Sequence, residues 1–177
     1  MPGIGQDAAV VQMVPITTVE ADAVERLLDR AFGTDRHGRT AYRLRAGTGA
    51  IPDLSIAAIE GGELIGSIQC WPVRFAGDDG RDVPLVLVGP VAVAPERQQG
   101  GIGRALVTAS LAAADARGNT LMLIGDPEYY GRFFGFSAEA TAGWRLPGPV
   151  EAHRLLARGP GVPAGAGTIG PRVTVVA

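Results

Sequence analysis

The sequence predicts an α+β fold, a mixed and mostly antiparallel sheet that carries one parallel pair of strands and is flanked by helices. Three observations lead there. The turn signals Gly61-Gly62 and Gly77-Asp78-Asp79-Gly80 separate β-rich runs at 54–59, 63–71 and 83–93, so three consecutive antiparallel strands of growing length are expected. A long helix follows, in which Ile102, Leu106, Ala109 and Ala113 repeat at helical spacing and Val107, Leu111 and Ala114 widen the apolar stripe. After it, Thr120–Gly125 reads as a short apolar strand, parallel to the run at 84–94 because a helix crosses between them.

At 177 residues the chain suits one domain with a sizeable core, spanning about 9–158. Residues 1–8 read as loose, and Ala9–Thr17 as a first strand interrupted late by Pro15. Thr18 can cap a helix through Val19-Glu20-Ala21-Asp22, with acidic residues where the helix dipole favours them. Val24, Leu27, Leu28 and Ala31 give that helix a buried face, and Phe32-Gly33 ends it. A second helical piece is expected over Thr40–Ala46, anchored by Tyr42 and Leu44. His37 lies in the polar link between the two and reads as a solvated loop histidine.

Further on, Gly89-Pro90 interrupts an otherwise excellent strand. Proline donates no ladder hydrogen bond and glycine weakens pairing, so a bulge or local separation is expected there, against the alternative of an edge strand that tolerates proline. Gly118-Asn119 stop the long helix. Asp126-Pro127 open a short helix that ends at Gly135. Trp144–Leu146 and Val150–Ala157 read as short strands or a helix, with His153 as readily structural as not. Gly159–Pro171 is a Gly/Ala/Pro coil. Arg172–Val176 alternates weakly, and would close a sheet edge or pair with another subunit as a homodimer.

Composition narrows the function. The chain is 46% hydrophobic with a formal charge of −2, which gives no reason to expect nucleic acid or an anionic membrane as partner. All 16 basic residues are Arg, which with so much Ala, Gly and Val reflects genome composition more than function. Cys70 has no second cysteine to pair with and lies in a β-run, so a buried neutral thiol is expected. No charged-then-apolar leader and no membrane-length apolar run is present, and the chain reads as cytoplasmic.

The entry to the long helix, Gln98-Gln99-Gly100-Gly101-Ile102-Gly103-Arg104, is unusual. It lacks the Ser, Thr, Asp or Asn that normally covers the first free N–H groups, and Arg104 puts positive charge in the first turn. Bare N–H groups, glycines that permit close approach, and nearby Arg97 and Arg104 fit an anion docking there. On the glycines alone, a flexible strand-to-helix turn is an equal reading. There is no Gly-Lys-Ser/Thr for a P-loop, and Leu106 stands where a dinucleotide fingerprint wants Gly or Ala.

Gln98-x-x-Gly101-x-Gly103 after a β-run ending in Ala-Pro-Glu resembles the pyrophosphate-binding signature of the GNAT N-acetyltransferase superfamily. Gly125-Asp-Pro-Glu-Tyr-Tyr130-Gly-Arg-Phe-Phe-Gly-Phe136 is similar to the segment after that family's fifth strand, closest to the YhbS-like branch. The resemblance covers roughly Thr18 to Phe136. It implies an acetyl-CoA-dependent N-acetyltransferase that moves an acyl group to a primary amine by direct attack, without metal. It implies that Gln98, Gln99, Gly100, Gly101, Ile102, Gly103 and Arg104 hold the diphosphate of acetyl-CoA. The pantetheine arm would lie in a wedge beside Val91, Ala92 and Val93, and residues around Arg36–Tyr42 would line the acceptor pocket. Tyr130, selected by counting from Asp126-Pro127, would protonate the departing thiolate, and Tyr129 would pack.

Two departures stand out. The usual tyrosine spacing before Gly-Phe falls on Gly131, and the strand position that holds a catalytic Glu in some members falls near Leu87. The base is thus open among Asp126, Glu128 and a water wire. A non-catalytic acyl-CoA-binding sensor or scaffold is the alternative function.

Overall fold

The computed structural model describes residues 10–173. The first strand, β1 (Gln12–Pro15), leads into a tight 3-10 turn in which the Thr18 hydroxyl donates to the Pro15 carbonyl at 2.7 Å. Thr18 is therefore not the cap of the first helix. That helix, α1 (Ala21–Phe32), starts after Glu20 without a side-chain cap. It buries Val24, Leu27 and Leu28 and stops at Gly33. Its continuation, α2 (Thr40–Arg43), is a single turn that sinks Leu44 completely. His37 is exposed and meets the Tyr42 ring edge-on at 4.4 Å.

The strands β2 (Ile56–Glu60), β3 (Glu63–Gly77) and β4 (Asp82–Val93) pair antiparallel in sequence order. The middle one is the longest, so their lengths do not simply grow. After β4 come α3 (Ile102–Ala116), β5 (Leu121–Ile124) and α4 (Pro127–Phe134). Gly118, with φ 69°, terminates α3 as the sequence predicts. Strands β6 (Trp144–Arg145), β7 (Leu155–Arg158) and β8 (Gly167–Pro171) complete an eight-stranded sheet ordered β1-β2-β3-β4-β5-β7.

The C-terminal part corrects the sequence reading. Residues 167–171, expected as coil, form β8, which pairs antiparallel with Val73–Gly77 of β3 and parallel with β6. Of the strand expected at 172–176, Arg172 and Val173 lie in no strand, and the rest falls outside the described residues. Glycine explains why the sequence concealed β8. A Cβ at Gly167 would collide with the Phe75 ring, so β8 can reach β3 only with a residue of low β-propensity at that point.

The sheet is covered on both faces. One face packs Ile68, Cys70, Val86, Val88 and Leu121 against Ile102, Leu106 and Leu111 of α3. The opposite face packs Ala57, Ala92 and Ala94 under α1, and Trp71, Leu85, Leu87 and Met122 beside Leu44. Each of these large side chains contributes about 1.5–3 kcal/mol when fully buried. The active architecture is the junction where β4 and β5 emerge between the two layers.

Candidate active site

The parallel pair at the centre of the sheet is short. Only Val86↔Leu121 and Leu87↔Met122 are in register, so beyond Leu87 the edge of β4 that faces β5 is open. The cause lies on the other edge of β4. The β3 register passes from Cys70↔Val88 to Ile68↔Val91, so Gln69 faces both Gly89 and Pro90 across a bulge. Gly89 takes φ 123°, a conformation that L side chains rarely adopt, and Pro90 has no N–H to give. The remainder of β4 is thereby turned away from β5, as the interruption in the sequence predicts.

Two cavities meet at this opening. The smaller, of about 450 Å³, runs along Val91 and Val93 to Gln98, Gly101, Gly103, Arg104 and Tyr129. The larger, of about 690 Å³, runs from Leu87–Val91 and Leu123–Asp126 toward α2. Phe32, Val91 and Tyr130 line both, so a ligand filling one reaches the other beside the Tyr130 ring.

The smaller cavity is built from backbone. Gly101, at φ 78°, occupies the N-cap position of α3, and no side chain of the described residues caps the helix. The free N–H groups and the positive end of the helix dipole therefore face the groove. Close approach comes from two glycines. A Cβ on Gly103 would touch Val93 at 3.4 Å, and one on Gly66 of β3 would press into Ile102 and Leu106 at 2.9 and 3.0 Å. Gly66 thus lets the first turn of α3 settle onto the sheet.

Arg97 is paired with a carboxylate and does not line the groove. Its guanidinium is held in a two-pronged pair with Glu60 of β2, and the Arg97 hydrogen bond holds the Glu60 carboxyl below its usual range. The neighbouring Glu96 pairs with Arg30 of α1 at 2.7 Å. Together they fasten the Pro95–Arg97 turn to two elements. Arg104 is the cation that remains at the groove, its guanidinium 4.2 Å from the centroid of the exposed Phe133 ring.

Tyr130 is positioned from several sides. Asp126 caps α4 by accepting the Glu128 N–H at 3.0 Å, and Pro127 fits the first helical position. The Tyr130 ring lies against Tyr129, Phe134 and Phe136 at centroid distances of 4.9, 6.2 and 6.1 Å. It also lies so close over Gly125 that a Cβ there would come within 2.7 Å of it. Burial, followed by the charges of Tyr129 and Asp126, raises the pKa of the phenol, which stays protonated at neutral pH. Tyr129 lines only the smaller cavity and packs on Phe133 and Phe134.

The larger cavity is lined by side chains of a different kind. Arg36, Arg39, Arg45 and Arg154 reach it, with Asp126 as the one carboxylate among the described residues. Glu128 lines neither cavity. Arg36 is neutralised by Glu25 and by Asp29 at 3.2 Å. Among the described residues no group of three or more His, Cys, Asp or Glu could hold a metal ion.

Of the other residues picked out in the sequence, Ala92 points into the core under α1 and Ile102 into the core under α3. Gln99 and Gly100 form the outer bend and do not line the groove. Gln98 lines it and donates to the Val93 carbonyl at 3.5 Å. Gly66 escaped the sequence reading because it arrives from β3, whereas Val107 and Phe32 were read only as parts of helices and Arg45 lies just past the segment expected to line the acceptor pocket.

Cys70 is buried and lies apart from both cavities. Ser110 gives its hydroxyl hydrogen to the Leu54 carbonyl at 2.7 Å, so the thiol donates to Ser110 across 3.2 Å. Burial pushes the Cys70 pKa up to about 11.

Comparison with known proteins agrees with this geometry. No curated protein matches the chain in sequence. Among solved structures, the GNAT family N-acetyltransferase YhbS from Escherichia coli, in complex with CoA, superposes with a TM-score of 0.67 at 25% identity, over 93% of this chain and 89% of that one. A GNAT family acetyltransferase from Brucella melitensis, in complex with acetyl-CoA, superposes with a TM-score of 0.66 at 24% identity, over 93% and 97%. The family model described as acetyltransferase (GNAT) domain matches residues 12–138, most of the chain and all of the elements that build the two cavities except the wall at Pro149 and Arg154, and the chain belongs to the GNAT acetyltransferase family.

Proposed function

We propose that the protein transfers an acetyl group from acetyl-CoA to a primary amine. The observation that carries this reading is the pair of cavities that meet at Tyr130 and Val91, one walled by an uncapped helix N-terminus and the other by polar side chains. The diphosphate of CoA lies at the 98–104 turn, where Gln98, Gly101, Gly103 and Arg104 face the groove. The pantetheine arm takes the place of the missing β5 partner along Val91 and Val93, completing a strand edge that the bulge leaves open.

The amine enters through the larger cavity. An amine of lysine type, with reference pKa about 10.4, must lose a proton before it attacks. Asp126 takes that proton, directly or through water. The nitrogen lone pair forms the new C–N bond at the thioester carbonyl, and a main-chain N–H near Val91 stabilises the oxyanion. Collapse breaks the C–S bond, Tyr130 gives its phenolic proton to the thiolate, and the second nitrogen proton is returned to solvent. The products are the amide and free CoA thiol.

The test is thiol release from acetyl-CoA over a panel of amines and peptides, alongside calorimetry with CoA. Turnover on any acceptor with micromolar CoA binding supports the reading. Tight CoA binding with no turnover on any acceptor would replace it with a CoA-binding sensor or scaffold.

A further inference from the structure

The larger cavity contains one cation whose placement the transfer chemistry above does not use. Arg45 follows α2, and its guanidinium is sandwiched between two aromatic rings, 4.3 Å from the centroid of Tyr42 and 4.1 Å from that of Trp71. Stacking fixes the plane of the guanidinium and leaves its N–H edge free to bond in that plane. Among the described residues no carboxylate lies within 4.0 Å of Arg45, and no side chain or carbonyl accepts its N–H groups. The side chain is only partly exposed and lines the cavity. The nearest acidic group named by its electrostatics, Glu25, is already committed to Arg36.

A partly desolvated cation without a counter-ion is a costly arrangement. Burial lowers the Arg45 pKa, in keeping with that cost, and Arg36 adds like charge. The surroundings do not relieve it. Arg39 and Arg154 line the same cavity and have no carboxylate partner among the described residues, and Arg154 donates to the carbonyl of Gly125, next to Asp126 at the β5–α4 junction. The cavity therefore presents excess positive charge around a single carboxylate, Asp126.

We propose that Arg45 is the anchor for a carboxylate carried into the larger cavity by one of the two reactants, which makes the substrate an amino acid-like acceptor or an acyl donor ending in a carboxylate. The planar fork held between Tyr42 and Trp71 matches the two oxygens of a carboxylate in a bidentate pair. An amino acid-like acceptor fits both charges, its ammonium toward Asp126 and its carboxylate toward Arg45. Polycationic acceptors such as polyamines are disfavoured by the same charges. This inference rests on the acetyl-transfer reading for its kinetics, and its binding readout is independent of turnover.

The experiment uses the full chain and the variants Arg45→Met, which keeps the stem that packs between the rings, and Arg45→Lys, which keeps the charge without the fork. In the acceptor arm, amino acids are compared with their methyl esters and decarboxylated amines, with acetyl-CoA as donor. In the donor arm, succinyl-CoA is compared with acetyl-CoA on one neutral amine. In either arm the carboxylate-bearing reactant is expected to be preferred. Arg45→Met should raise its KM by about tenfold to a hundredfold, while its uncharged analogue shifts little. Arg45→Lys is expected to recover only part of the loss. The arm in which the effect appears identifies the source of the carboxylate.

Because the guanidinium stacks on Trp71, ligand binding at Arg45 should also change tryptophan fluorescence. Titration with an N-acetyl amino acid and with succinate gives a binding curve even if no amine turns over. A folded Arg45→Met variant with unchanged fluorescence titrations, or with equal KM values for charged and uncharged reactants in both arms, would overturn the assignment. So would a preference for polyamines.

Discussion

The two cavities that meet at Tyr130 are made differently. The smaller is walled by main chain brought close by glycine, with N–H donors fixed by the start of α3. The larger is walled by long arginine side chains from the segments before and after α2 and from the segment before β7. Backbone donors at a helix start suit an anionic group such as the diphosphate of the proposed co-substrate, and they tolerate little change. Side chains can be exchanged one at a time, so under the proposed function the arginines of the larger cavity are where acceptor preference would be set. Their shared boundary, Tyr130 with Val91 and Phe32, is where neither set of constraints can vary alone.

Substitutions can separate the two halves. The largest effect is expected at the boundary. Tyr130→Phe keeps the ring stacked on Phe134 and Phe136 and removes only the acid. Acid catalysis is typically worth 10²–10⁴-fold, but a thiolate of pKa about 8.5 already leaves fairly well, so steady-state kinetics should show kcat down by about tenfold to a hundredfold with CoA affinity little changed. Tyr129→Phe should change kcat by only a few-fold. A large loss at Tyr129 with none at Tyr130 would move the acid role to the smaller cavity alone.

Next in size is Gly103→Asp, which sets a carboxylate against Val93 at the phosphate end. Calorimetry should show CoA binding weakened by at least about tenfold in a folded protein, with selectivity among acceptors unaltered. Altered acceptor selectivity would show that the halves are not separable. Gly125→Ala should act on the other side of the boundary. The added methyl displaces the Tyr130 ring, and kcat is expected to fall several-fold while CoA affinity holds. Full activity in that variant would remove the ring position from the mechanism.

The smallest effect is expected at Cys70, outside both halves. Its folded pKa of about 11 lies above the unfolded value of 9.0, so the protonated thiol is favoured by folding. Stability from this group is intact below about pH 9 and is lost as pH rises toward 11. Chemical denaturation across that window should show a steeper decline for the wild type than for Cys70→Ala. Acyl transfer in Cys70→Ala should remain within a few-fold, and detection of an acetylated Cys70 would overturn its inert role.

The same difference explains what was legible in the sequence. Gly101, Gly103 and the Gly89-Pro90 break act through local backbone conformation, so spacing along the chain carried them, as it did the capped start of α4 at Asp126-Pro127. Arg45 acquires meaning only when α2 lays it on Trp71, a residue 26 positions later in the middle of β3. The pairing of Arg97 was equally out of sight, because its partner Glu60 lies on another strand. The Thr18 cap failed by a shorter margin. Its hydroxyl found the Pro15 carbonyl in a tight turn before any helical N–H was available. The last strand was hidden because Gly167 and Gly170 contradict local β-propensity, and Gly167 is required where the Phe75 ring approaches.

That last strand bears on how the protein matures. The edge of β3 is shared, with β2 covering Glu63–Ile68 and β8 covering Val73–Gly77. During synthesis the second half of that edge stays uncovered until some 90 further residues have followed, and Phe75, later buried against Trp144 at 5.8 Å, stays with it. Until then the nascent chain exposes an open strand edge with a large aromatic beside it, the kind of template that recruits other chains. Among the described residues, those after Arg158 line neither cavity and instead cover that edge. A chain ending at Arg158 would retain both cavities and yet be prone to aggregate.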